Sequence, residues 1–128
     1  NPDPNDPIDI LSKVGGFDIA GLVGIFLGGA IYKIPIVIDG LISSVAALIA
    51  FRLCNLSKDY MFASHLSQEP ACTDILNQMS LKAIIDGNMR LGEGTGAVMA
   101  MSLFNIIDHV YKNMTSFEEF DMEPYKPL

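Results

Sequence analysis

Apolar and polar residues fall in blocks along this chain, and the period within each block predicts its elements. Apolar positions from Ile8 to Val14 recur at helical spacing and stop at Gly15-Gly16, which predicts a short helix. A second helix is predicted over Asp18 to Lys33. There Gly21, Gly24 and Gly28 share one face at spacings of three and four, so another element could approach closely. Ile34-Pro35-Ile36-Val37-Ile38 is a short apolar run that reads as a strand buried on both faces, the mark of a parallel sheet. Pro35 is tolerated near the strand's beginning. Asp39-Gly40 ends the run, and Ser43-Ser44 are placed to cap a helix from Val45 to Leu56. Tyr60 to His65 repeats the strand pattern, Leu66 to Pro70 closes it, and Cys72 to Met79 is helical. Leu81 to Asp86 is apolar and short, either a strand or a helical turn. From Ala97 to Met114 a long helix is predicted with Thr95 as its N-cap. Its core stripe would be Ala97, Ala100, Met101, Phe104, Ile107, Tyr111 and Met114, with Ser102, Asn105, Asp108 and Lys112 largely opposite. The methionines read as core filler. Thr115-Ser116 would cap a short acidic turn, Phe117 to Phe120.

Two buried strands, each followed by a helix, imply an α/β fold with a parallel sheet flanked by helices. Asp39 and Ser67 should then emerge at the same edge of that sheet, where ligands bind in such folds.

Composition adds boundaries and exclusions. Asn1 to Pro7, with three prolines and two aspartates, reads as a linker or a cut loop, residues 8–120 as one unit, and 121–128 as a tail, loose or docked on a partner. The 128 residues fit a single domain, but half are hydrophobic and only 18% are charged. That balance implies more buried surface than the chain alone provides, hence a companion chain or a second copy. A net charge of -7 with no basic stripe argues against a nucleic-acid partner. Cys54 and Cys72 show neither metal-type spacing nor a disulfide framework, which fits a reducing, cytoplasmic setting. Val14 to Ile31 is nearly uncharged and carries Gly24-x-x-x-Gly28, a membrane dimer pattern. Asp18 inside the run, abundant glycine, and the break at Pro35 and Asp39 argue against a membrane span.

The chemistry concentrates in Met89-Arg90-Leu91-Gly92-Glu93-Gly94-Thr95-Gly96-Ala97. Glu93 stands between glycines at the mouth of a helix, displayed as a positioned general base would be; a plain dipole-favouring charge is the other reading. Asp39 is either a strand-end site residue or a turn-forming Asp-Gly. Ser67, at a strand-to-helix junction, suits phosphate binding or simple capping. His65 reads as a satisfied strand-end histidine, and His109 lies far along the last helix, so no metal site is expected.

Four stretches carry a resemblance: Val14-Gly15-Gly16-Phe17-Asp18-Ile19-Ala20, Ile38-Asp39-Gly40-Leu41-Ile42-Ser43, Ala63-Ser64-His65-Leu66-Ser67-Gln68-Glu69 and Met89-Arg90-Leu91-Gly92-Glu93-Gly94-Thr95-Gly96. In this order and spacing they resemble the C-terminal part of the nicotinate-nucleotide–dimethylbenzimidazole phosphoribosyltransferase family, over about Ile8 to Phe120. The resemblance implies transfer of phosphoribosyl from nicotinate mononucleotide to 5,6-dimethylbenzimidazole in cobalamin lower-ligand synthesis, by a homodimer with no metal and no cofactor. It implies Glu93 as the base that takes the benzimidazole proton and Ser67 as a phosphate-loop residue. Asp39 is implied in a supporting role facing the site, and Leu91 and Gly92 as backbone beside the aromatic base. Ala71 departs from the family's usual glycine after Glu-Pro. The upstream half, with a glycine-rich loop and most of the base pocket, is missing, which implies a fragment, a chain cut in two, or a subunit that borrows the N-terminal half from a companion. A non-catalytic ligand-binding or structural descendant of the fold is the alternative.

Overall fold

The computed structural model describes residues 1–123 and 125–126. The tail prolines, Pro124 and Pro127, and Leu128 lie outside the described residues, so the expectation of a loose or docked tail is left there. The elements run α1 (Pro7–Val14), α2 (Phe17–Tyr32), β1 (Ile36–Ile38), α3 (Gly40–Leu53), a 3-10 turn (Asn55–Tyr60), β2 (Met61–Ala63), β3 (His65–Ser67), α4 (Pro70–Gln78), β4 (Ile85–Met89) and α5 (Thr95–Asn113).

The expected parallel sheet forms. β1 pairs β2 in parallel, Ile36 against Met61 through Ile38 against Ala63, and β3 pairs β4 in parallel. Ser64 joins the two pairs. Its N–H donates to Ile38 O at 3.1 Å, and its carbonyl accepts from Ile85 N at 3.0 Å. The run from Met61 to Ser67 is therefore central, with β1 against its first half and β4 against its second.

The core lies on one face of this sheet. Val23 and Phe26 of α2, Ala46, Ala47, Ile49 and Ala50 of α3, and Ile75 and Leu76 of α4 pack with Ile38, Met61, Ala63 and Met79. The opposite face corrects the expectation of strands buried on both sides. There α5 approaches through the edge-to-face pair Phe62–Phe104 at 5.4 Å, an open pocket lies between Val37, Phe62, Met101 and Phe104, and Phe62 stays 40% exposed.

Several sequence expectations shift for physical reasons. Asp6 and Pro7, read as linker, start α1: the Asp6 carboxylate accepts from Ile8 N and Asp9 N, and Pro7 fills the first turn, where no N–H is needed. Lys13, 2.7 Å from Asp9, holds that carboxyl below its ordinary range. Helix α3 begins at Gly40, five residues before the expected Val45. Gly40, at φ +70, lets the chain turn directly from strand to helix. Ser43 and Ser44 therefore lie inside the helix and donate to the carbonyls of Asp39 and Gly40, and Ser43 Oγ also accepts from the N–H of the N-cap residue Asp39. β4 covers Ile85–Met89, downstream of the apolar Leu81 to Asp86, and it bulges against β3 at residues that are poor strand formers. Ser116 and Glu119 form a reciprocal capping box around the expected acidic turn.

Two apolar faces expected to be packed are bare. Nothing lies within 4 Å of a Cβ built on Gly21, Gly24 or Gly28, and Phe17, Ile25, Ile31 and Tyr32 are exposed beside them. The close-approach glycine of α2 is instead Gly29, whose Cβ would sit 2.9 Å from Ile34 O. On α5 only Gly96 and Ala100 are buried, and Ile107, Tyr111 and Met114 of the predicted core stripe face outward. Among the described residues, no helix is long and apolar enough to cross a membrane.

Candidate active site

A cavity of about 320 Å³ opens where the parallel strands end. Each strand line delivers one residue to its wall. Asp39 follows β1, Ser67 closes β3, and Arg90 follows β4. Leu91, Gly92 and Glu93 complete the side nearest α5, and His65 and Glu69 line the rest.

The glycine elbow is a tight left-handed turn. Gly92, Glu93 and Gly94 have φ of 74, 60 and 76, and Thr95 N donates back to Gly92 O at 3.2 Å. Positive φ at the two central residues is the sign of a type I′ turn, where Gly, Asn or Asp are usual. Glu93 occupies this conformation with a full side chain, at a cost of roughly 1–2 kcal/mol. Strain of this kind persists only where the surroundings enforce it.

Asp39 braces the residue that follows Glu93. Its position makes it the N-cap of α3, yet its carboxylate makes no bond to that helix. It reaches across to α5, accepting from Gly94 N at 3.2 Å and from Ala97 N at 2.8 Å. Two of the N–H groups that a helix start leaves unpaired are thereby satisfied by a negative charge at the positive end of the dipole. Gly94, the N-cap of α5, has no side chain to offer, and Thr95 lies one residue inside the helix with its hydroxyl on Gly92 O. The expected Thr95 cap is thus replaced by a carboxylate 55 residues away from Gly94 in sequence.

The Ser67 hydroxyl donates to Glu69 Oε2 at 3.1 Å and accepts from Glu69 N at 3.4 Å. It does not cap α4, whose N-cap position is Glu69. Among the described residues, the wall carries three carboxylates, Asp39, Glu69 and Glu93, and one guanidinium, Arg90. An anionic ligand here would be held by Arg90 and hydroxyl or backbone donors, with Glu69 turned away from Ser67.

A phosphoribosyltransferase family model matches residues 1–121. The chain belongs to this family. The nicotinate-nucleotide–dimethylbenzimidazole phosphoribosyltransferase of Clostridium acetobutylicum is 52% identical over 99% of this chain and 36% of its own length. The enzyme of that name from Acetivibrio thermocellus is 49% identical over 98% of this chain and 36% of its own. A crystal structure of the enzyme from Thermus thermophilus superposes with a TM-score of 0.85 at 33% identity, covering 96% of this chain and 37% of that one. The chain therefore spans about a third of the length of the relatives it matches, and its sheet is a fragment of a larger α/β domain.

All five residues singled out from the sequence, Asp39, Ser67, Leu91, Gly92 and Glu93, line one cavity. Leu91 is 75% exposed, so its side chain forms rim and not floor. Gly40, Leu41, Ile42, His65, Glu69 and Arg90 are the wall residues the sequence did not single out as site residues. Glu69 could have been found from its spacing of two from Ser67 at a strand end. His65 gave no signal beyond its position.

Proposed function

We propose that this chain is one portion of an active unit that moves phosphoribosyl from nicotinate mononucleotide to 5,6-dimethylbenzimidazole or a similar aromatic base, serving cobalamin lower-ligand synthesis in the cytoplasm. The observation that carries the reading is Glu93, held in a strained left-handed turn at the cavity wall and fastened there by Asp39. In this scheme a ring nitrogen of the base attacks C1′ of the ribose. The C1′–nitrogen bond to nicotinate breaks, nicotinate leaves with the bonding pair, and the proton of the attacking N–H passes to Glu93. Ser67 and Arg90 face the phosphate, and Leu91 and Gly92 border the aromatic ring. The missing two thirds of the fold, and with them most of the base pocket, come from a companion portion, and the whole assembles as a homodimer. The bare faces of α2 and α5 support a companion of this kind.

The test is turnover of the complete assembly, following nicotinate release with dimethylbenzimidazole present. A placed general base contributes about 10²–10⁴-fold, so Glu93→Gln should lower turnover by about that factor while nucleotide binding holds. Ser67→Ala should weaken nucleotide binding more than it slows the bound complex. Equal turnover for the wild type and Glu93→Gln removes Glu93 as the base. Ligand binding with no turnover in the wild type moves the protein to the non-catalytic alternative.

A further inference from the structure

His65 is the one ring in the cavity wall that the proposed chemistry leaves without a task. It is only 4% exposed. Its Nδ1 lies 3.0 Å from Ser64 Oγ and 3.7 Å from Asp39 Oδ1. Ser64 Oγ also lies 2.7 Å from Ile38 O. A carbonyl only accepts, so the single hydroxyl proton of Ser64 goes to Ile38. At the contact with His65 the Ser64 oxygen must then accept, and Nδ1 must donate. The nearby Asp39 carboxylate favours the same proton position. A neutral imidazole with its proton on Nδ1 carries a lone pair on Nε2.

The seat of the ring is built from two further segments. A Cβ on Gly96 would overlap the imidazole at Nδ1, Cγ and Cε1, so only glycine at the start of α5 leaves room for it. The Nδ1 side is thus closed by Ser64, Asp39 and Gly96, and this leaves the edge bearing Nε2 as the one free to face the cavity that His65 lines. Among the described residues Nε2 has no hydrogen-bond partner. Ser57 Oγ is the buried side-chain atom left without a partner among the described residues, so Nε2 keeps access to the open cavity, where a ligand or water can satisfy it.

We propose that His65 is a ligand-binding residue whose Nε2 accepts a hydrogen bond from a hydroxyl of the substrate's ribose. This rests on the transferase reading for the identity of the substrate. A ribose is favoured over the base N–H because the N–H proton is already assigned to Glu93, a better acceptor, whereas the sugar hydroxyls have no partner among the residues discussed above. The ring would act as a fixed acceptor, its tautomer set by Ser64, and would take no part in the proton transfer.

The amide of asparagine overlays the Nδ1 end of an imidazole, and that of glutamine overlays the Nε2 end. His65→Asn therefore keeps the donor to Ser64 and removes the cavity acceptor, whereas His65→Gln restores a polar end in the cavity. Nicotinate mononucleotide and its 2′-deoxy and 3′-deoxy analogues are titrated calorimetrically into three forms of the complete assembly: wild type, His65→Asn and His65→Gln. His65→Asn should weaken nucleotide binding about ten- to hundredfold, and His65→Gln much less. One deoxy analogue should lose a similar factor on the wild type and nothing further on His65→Asn. Nitrogen-15 spectra of the wild type should show a protonated Nδ1 and a bare Nε2. Unchanged nucleotide affinity in His65→Asn overturns the proposal, as does an Nε2-protonated ring, or full-strength binding of both deoxy analogues by the wild type. If His65→Asn does not fold, the wild-type analogue titrations and spectra decide alone. A wild type that binds no nicotinate mononucleotide removes the transferase reading along with this one. Normal binding without any dependence on His65 or on a ribose hydroxyl removes only this one.

Discussion

Replacing Glu93 with glycine should leave a more stable protein than replacing it with alanine. The residue sits at φ +60 between Gly92 and Gly94, which share that sign. A side chain in this region costs roughly 1–2 kcal/mol, which glycine does not incur. Glycine gives back roughly 0.5–1 kcal/mol through its greater freedom in the unfolded chain. The net gain of Glu93→Gly over Glu93→Ala is then about 0.5–1 kcal/mol, since both lose the carboxylate and only alanine keeps the strain. The assay is thermal or urea unfolding of the complete assembly with each variant, beside turnover. Both variants should lose turnover to the extent that Glu93 is the base, and Glu93→Gly should melt above Glu93→Ala. The advantage of glycine over alanine should shrink when Asp39→Ala is added, because without its fastening the turn is free to relax. Alanine equal to or more stable than glycine at this position would refute the strained elbow, and with it the argument that Asp39 braces it.

Asp39→Asn leaves one acceptor for the two N–H groups of Gly94 and Ala97, so it should cost roughly 1.5–3 kcal/mol, read by urea unfolding, and should lower turnover without a matching rise in KM. Gly96→Ala should displace the His65 ring, seen as a changed imidazole nitrogen-15 shift together with lost stability. Gly24→Ala meets nothing within 4 Å here, so it should stabilise the isolated chain by about 0.5–1 kcal/mol. The same change should weaken assembly, measured by sedimentation, if that face is where the companion or a second copy seats. Lys13→Ala should raise the Asp9 carboxyl toward its ordinary value in a carbon-13 titration, because the Lys13 ammonium is the main cause of its lowering. A lowered carboxyl contributes stability above its unfolded-state value and loses it as pH falls through the folded one, so Lys13→Ala should also flatten the acid limb of the stability curve.

Local signals in the chain determined the element types and their order. The β-branched run at Ile36 to Ile38, the helical spacing of the flanking apolar residues and the glycines around Glu93 act within a few residues of themselves, so they are legible without a fold. The parallel pairing followed from the apolar strands, and the meeting of Asp39 with Ser67 at one edge followed from the pairing. Long-range contacts decided the rest. Thr95 had the right chemistry for a cap, but Asp39 brought two full bonds to the same helix start and displaced it. β4 is strung through Asp86 and Gly87, which have no strand preference of their own and pair only because β3 offers a ladder beside them, and it kinks at Asn88, which sits at φ +52 where the register slips. The glycine face of α2 and the apolar stripe of α5 were legible as surfaces meant to be covered. What covers them is a matter of neighbours, and periodicity records only that a face is apolar, never which surface it meets. His65 shows the same limit. Its tautomer and its open nitrogen depend on Ser64, Ile38 and Gly96 arriving together, and only the folded chain brings them there.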